Sequence, residues 1–127
     1  NRSAQFRLPQ NRYCIENRAA DMTMNVYLAF SMTLSAAVEG IKKKIHPGKP
    51  TDQDLYNMTD SEFKKLGIKR LPRNLLMAIE ALKNDKLSDE VIGSVMKKSL
   101  LAYKNDEWER YHQAVTDWEV KEYLRLY

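Results

Sequence analysis

Only two stretches of this chain suit β-strand, residues 2–8 and 12–18, and both lie near its start. Pro9-Gln10-Asn11 between them favours a turn, so together they predict a hairpin. A lone hairpin is marginal in water and needs further strands or a packing partner. The hairpin is therefore expected to belong to a larger sheet whose other strands lie upstream. Everything from residue 21 onward reads as helix and connection, which gives an α+β fold class: a β-hairpin from a larger sheet followed by about five helices.

The first helix is expected after Asn25, an N-cap type, over VYLAFSMTLSAAVEGIKKKI. It is apolar nearly all round, rich in small residues and Lys-heavy in its last turn, a pattern of helices buried on several sides. His46-Pro47-Gly48 stops it. Thr59-Asp60-Ser61-Glu62 matches a capping box for a short helix ending at Gly67. A further helix is expected over 72–83, with Leu75, Leu76, Ile79 and Leu82 on one side. Ser88 is read as the cap of the next, which carries Val91, Val95, Leu101, Trp108, Tyr111 and Val115. Thr116-Asp117-Trp118-Glu119 restarts a last one.

At 127 residues the chain fits one domain. Its 21 basic and 17 acidic residues are interspersed, and the lysines at 42–44 suit a helix C-terminus, so nucleic acid is not an expected partner. The apolar stretch 26–38 is too short for a bilayer span, which takes roughly 20 residues, so no membrane partner is expected either. A single cysteine, Cys14, excludes an intrachain disulfide framework and suits a reducing compartment, with the cytoplasm the expected address. The chain starts at Asn1 without a signal-peptide pattern and reads as a cut start. His46 and His112 lack metal-ligand spacing, and Cys14 is expected to be a small, at least partly buried residue rather than a nucleophile.

On the second strand Cys14, Glu16 and Arg18 share one face and Tyr13, Ile15 and Asn17 the other. Arg2 and Arg7 differ in parity, so they point to opposite faces unless a bulge intervenes or the strand starts after Arg2. Taken alone, Glu16 and Arg18 would be an exposed pair of little energetic consequence.

The runs NRSAQFRLP, IENRAADMTMNVYLAF, GIKKKIHPG and DLYNM, in that order and spacing, resemble the glutamine synthetase family. The resemblance continues more loosely through LPRNLLMAIEAL and DWEVKEYLRLY, which look like the closing helices of the bacterial enzymes and their γ-glutamylmethylamide-forming relatives. It implies that residues 1–127 are the C-terminal portion of a glutamine synthetase-like catalytic domain, with the hairpin at 2–18 and the helical part at 21–127. The implied activity is an ATP-dependent glutamate-ammonia ligase working through γ-glutamyl phosphate, with Mg2+ or Mn2+. Glutamate and ammonia or a small amine are the implied substrates, and a homo-oligomeric double ring the implied assembly.

By the same resemblance Glu16 stands at a metal-binding glutamate and Arg18 at an arginine that holds glutamate. Arg2 matches a catalytic arginine facing ATP and the transferred phosphate, and Arg7 one that binds ATP phosphates. Phosphoryl chemistry calls for these residue types, because guanidinium groups grip phosphate and carboxylate with paired hydrogen bonds and carboxylates hold divalent metal. Cys14 departs from the arginine that the family often has two positions before the glutamate, which puts one nucleotide contact in question; Arg12 is a candidate to replace it. Tyr56 aligns with a tyrosine that some bacterial members adenylylate, but Asn57-Met58-Thr59 departs from their context and modification is not expected. Most expected metal ligands and the base pocket are absent, so the chain by itself is expected to be inactive.

Three alternatives stand beside the ligase. LYNMTDSEFKKLGIKRLPRNLLMAIEAL also resembles the core of a sterile alpha motif, an interaction module. A γ-glutamylmethylamide synthetase would use methylamine in place of ammonia. An inactive scaffold is the third, with Cys14 its one sequence sign.

Overall fold

The computed structural model describes residues 2–126. Asn1 and Tyr127, the outermost residues of the first and last motifs quoted above, lie outside the described residues. The chain gathers into two compact units, Asn1–Leu71 and Pro72–Tyr127.

The first unit opens with strands β1 (Phe6–Arg7) and β2 (Glu16–Asn17), paired antiparallel with Phe6 opposite Asn17 and Arg7 opposite Glu16. The Arg18 N–H donates to the Gln5 carbonyl at 2.8 Å and adds one more rung. The hairpin is present but much shorter than the alternation predicts. Arg2 lies before β1, so its parity with Arg7 has no meaning for the ladder. A two-residue strand presents too little pleated surface to carry a packed layer.

Helix α1 (Val26–Lys42) follows, capped by Asn25, whose side chain accepts from the backbone N–H groups of Tyr27 and Leu28. It ends earlier than predicted because Lys44 takes a positive φ of 51°, with its N–H on Ile41 and that of Ile45 on Gly40. That is the double closure of a Schellman motif, here made without glycine. None of the residues of α1 is buried. Val26, Phe30, Leu34 and Val38 form an exposed apolar stripe that Ile41 extends, where the pattern predicts burial on several sides.

Helix α2 (Asp60–Leu66) carries the predicted capping box between Thr59 and Glu62. It closes at Gly67, whose φ of 66° is one that side-chain-bearing residues rarely adopt. Phe63 is buried in this unit, as is Pro9, and the Arg70 guanidinium lies 4.0 Å from the Phe63 ring centroid. Arg70 also pairs with Asp60 at 2.8 Å and donates to the Met58 carbonyl at 2.9 Å, so the cation ties the segment after α2 back to the start of that helix.

The second unit holds α3 (Leu75–Asn84), α4 (Lys86–Ile92), α5 (Ser94–Gln113) and α6 (Asp117–Tyr123). The helix predicted from Ser88 onward is two helices, parted at Gly93, whose φ of 75° and ψ of 156° belong to a region that only glycine enters freely. The expected cap Ser88 lies inside α4 and is fully buried. Asp85 is the cap: its N–H closes α3 on Leu82 and its carboxylate accepts from the Ser88 N–H at 2.8 Å. Lys97 of α5 is also buried, its amino group on the Asp85 carbonyl and the Asp89 carboxylate at 2.8 Å each. With Ile79 these groups fix α3 and α4 against α5. The capping box predicted for α6 is present between Thr116 and Glu119. Among the described residues, no helix is long and apolar enough to cross a membrane.

Candidate functional site

The β1–β2 register sets Arg7 directly across from Glu16. Arg7 Nη1 donates to both Glu16 oxygens, at 3.2 Å to Oε1 and 3.0 Å to Oε2. A second guanidinium reaches the same carboxylate, with Arg12 Nη2 donating to Oε1 at 2.6 Å. Arg12 arrives there because the chain folds back after the 9–11 turn, where the Cys14 N–H donates to the Arg12 carbonyl at 3.1 Å. Hydrogen bonds from Arg12 and then Arg7 hold the Glu16 carboxyl below the usual glutamate range, and Glu16 in turn raises Arg12. Since all three side chains remain partly open to solvent, the cluster is accessible to a ligand.

Of the four residues singled out in the sequence, the hairpin brings Arg7 and Glu16 together. Arg18 is exposed, held through its backbone on the ladder. Arg2 is exposed too, and its carbonyl accepts from the Tyr56 hydroxyl at 3.3 Å. Neither Arg2 nor Arg18 hydrogen-bonds to Glu16 or Arg7 among the described residues. Arg12 falls inside the predicted strand 12–18, but β2 starts only at Glu16 and leaves Arg12 in the connection, so its contact with Glu16 is not a ladder contact. Its signal is the spacing of Arg12 and Glu16 across a tight turn.

Cys14 is exposed rather than partly buried, and it stands outside the short ladder in the connection between β1 and β2. The imidazole of His46 accepts from the Gly48 N–H and so helps stop the chain after α1, and His112 sits on Trp108 with ring centroids 3.7 Å apart. Among the described residues no group of three or more His, Cys, Asp or Glu can hold a metal ion. Glu16 offers one carboxylate flanked by two cations, so the residues present do not by themselves build a divalent-metal site.

A second feature of the first unit is a half-open cleft of about 730 Å3, lined in part by Ser3, Phe6, Tyr56 and Phe63. The Leu55 N–H donates to the Ser3 hydroxyl at 3.0 Å, which ties the segment before β1 to the connection between α1 and α2.

A family model described as the glutamine synthetase catalytic domain matches residues 1–123. The chain belongs to the glutamine synthetase family. It is 36% identical to a glutamine synthetase of Methanococcus maripaludis over 99% of this chain and 29% of that protein. Identity is 39% to a glutamine synthetase of Methanocaldococcus jannaschii, over 98% of this chain and 28% of that one. A glutamate-methylamine ligase of Methyloversatilis universalis is 35% identical over the full chain and 28% of its own length.

A solved structure described as apo GmaS without ligand superposes with a TM-score of 0.71 at 31% identity, covering 87% of this chain and 25% of that one. The chain thus spans less than a third of the length of these relatives. The glutamine synthetase match runs through both compact units, and through residues 55–82, the stretch that also resembles a sterile alpha motif.

Proposed function

We propose that residues 1–127 act as the C-terminal portion of a glutamine synthetase-like catalytic domain, in an ATP-dependent ligase that joins glutamate to ammonia. The observation that carries the proposal is the cross-strand Arg7–Glu16 pair, which sets a cation beside a carboxylate at two of the positions to which the resemblance assigns ATP phosphate and metal. In the first step the side-chain carboxylate oxygen of glutamate attacks the γ-phosphorus of ATP, the bond to the bridging oxygen breaks, and ADP leaves. In the second, ammonia attacks the acyl carbon of γ-glutamyl phosphate, the carbon–oxygen bond to phosphate breaks, and the extra proton on nitrogen is lost.

Both steps move charge over phosphoryl oxygens, and guanidinium groups are suited to stabilise it. In this reading Arg7 and Arg2 bind ATP phosphates, with Arg2 also facing the phosphate in transfer, and Arg18 holds the substrate glutamate. Glu16 enters as one carboxylate donor to a divalent cation, Mg2+ or Mn2+, whose other donors lie outside the described residues. The exposed stripe on α1 and the short hairpin support a role within a larger domain, in which the chain alone has no turnover. A cytoplasmic, homo-oligomeric double ring is the assembly this reading carries.

A single assay tests the ligase: release of phosphate from ATP that depends on glutamate and on ammonia, in a protein carrying these residues with the catalytic domain restored. No glutamate-dependent release rejects the proposal. The likeness to a glutamate-methylamine ligase favours one second reading, so methylamine is run in parallel, and a preference for it assigns the chain to that branch.

A further inference from the structure

Arg2 and Ser3 lie ahead of β1, which begins at Phe6. What reaches them comes from far along the chain, the connection of residues 43–59 between α1 and α2. The Leu55 N–H donates to the Ser3 hydroxyl at 3.0 Å, and the Tyr56 hydroxyl donates to the Arg2 carbonyl at 3.3 Å. The Arg2 carbonyl and the Ser3 α-carbon belong to one planar peptide unit, so two bonds from consecutive residues fix that unit at both ends. The Asp54 carboxylate accepts from the Tyr56 N–H at 3.0 Å and closes the turn that presents both donors. Packing does not replace these bonds: Arg2 and Tyr56 are exposed, Ser3 and Leu55 are half-buried, and Ser3, Leu55 and Tyr56 line the half-open cleft described above. A connection longer than roughly 12–15 residues without secondary structure is uncommon in a compact domain and usually functional.

We infer that Ser3 is a positioning residue for Arg2: its hydroxyl latches the Arg2–Ser3 peptide to the α1–α2 connection and so sets where the Arg2 guanidinium can reach. The inference rests on the reading above in which Arg2 binds ATP phosphate, and it gives Ser3 and the backbone of Leu55 a part in that binding. An arginine side chain has several rotatable bonds, and freedom in its backbone anchor adds to what must be ordered when phosphate arrives. An anchor fixed beforehand removes that share of the ordering, whereas a displacement of about 1 Å is enough to impair a contact made in the reaction.

The test measures ATP binding by calorimetry in the full chain with the catalytic domain restored, for wild type, Ser3→Ala, Ser3→Thr, Arg2→Gln and the Ser3→Ala/Arg2→Gln double variant. Ser3→Ala is expected to weaken ATP about fivefold, the effect of one neutral hydrogen bond, and Ser3→Thr, which keeps the hydroxyl, to recover most of that loss. In the Arg2→Gln background Ser3→Ala is expected to change ATP affinity little, because a residue that acts through Arg2 has nothing left to position. In turnover the KM for ATP rises in Ser3→Ala by a similar factor and the KM for glutamate does not. Amide exchange at Leu55 speeds up in Ser3→Ala, since that N–H loses its acceptor.

A purely structural role for Ser3 would weaken ATP equally in both backgrounds, in step with a lower melting temperature, and that result overturns the inference. So does unchanged ATP affinity in Ser3→Ala, no recovery in Ser3→Thr, or unchanged exchange at Leu55. If Ser3→Ala does not fold, Ser3→Cys, a side chain of similar shape with a poor acceptor, takes its place in the same comparison. Ligase turnover with ATP affinity indifferent to Ser3 overturns the inference alone. ATP binding that depends on Ser3 through Arg2, in a protein without glutamate-dependent phosphate release, removes the ligase reading and leaves the inference standing.

Discussion

Glu16 is held by cations on both sides of the hairpin turn, and its acidity follows from them, Arg12 first and Arg7 second. A carboxyl lowered in the folded state adds stability above its ordinary titration range and loses it as pH falls through the lower folded value. The effect therefore fades only in acid, below the ordinary glutamate range. Carbon-13 NMR of the Glu16 side chain in Arg12→Gln should give a midpoint above that of the wild type. An unchanged midpoint would mean that the 2.6 Å contact is not populated in solution. Strand periodicity could place Arg7 and Glu16, because paired strands fix who faces whom. It misplaced Arg12, which it put inside the strand, because the ladder is shorter than the alternation and Arg12 stands in the turn before it.

At the scale of elements, legibility followed the range of the interaction. Capping boxes at Thr59–Glu62 and Thr116–Glu119 were readable because all their partners lie within one helical turn. Thr59→Ala should cost about 1 kcal/mol in thermal or urea unfolding at neutral pH. Hydrogen bonds from Thr59 hold Glu62 below the usual range, so this part of the stability is present at neutral pH and is lost as pH falls through the lowered value. The gap between wild type and variant should accordingly narrow in acid.

The break at Gly93 and the buried Ser88 and Lys97 were not readable, because only the packing of α3 and α4 on α5 makes Asp85 the shared cap. Lys97→Met keeps the aliphatic stem and removes the donor. It removes a charged donor from the Asp85 carbonyl, which keeps the Ser88 hydroxyl at 2.7 Å, and should destabilise by about 1–3 kcal/mol in the same unfolding experiment. Asp89 loses less, since it is already half exposed.

For the whole molecule the decisive quantity is apolar surface that the chain does not cover. Each unit has a small core, Phe63 in one and Ile79 in the other, while the α1 stripe stays open to water. The sequence pattern predicted a helix for burial and was right about the helix; whether such a face is covered depends on what packs against it, which periodicity cannot supply. Contiguous apolar patches of this kind bind hydrophobic dyes and promote association. Leu34, 67% exposed, contributes little to folding here, so Leu34→Glu should shift unfolding of the isolated chain by no more than about 0.5 kcal/mol. The same substitution should lower dye fluorescence and concentration-dependent scattering, since it places a charge in the middle of the stripe. In the restored catalytic domain it should instead destabilise by about 2–5 kcal/mol, the range for disrupting a buried leucine. Equal tolerance in both settings would mean that α1 meets water in the complete protein too, and would remove the support that its stripe gives to a role inside a larger domain.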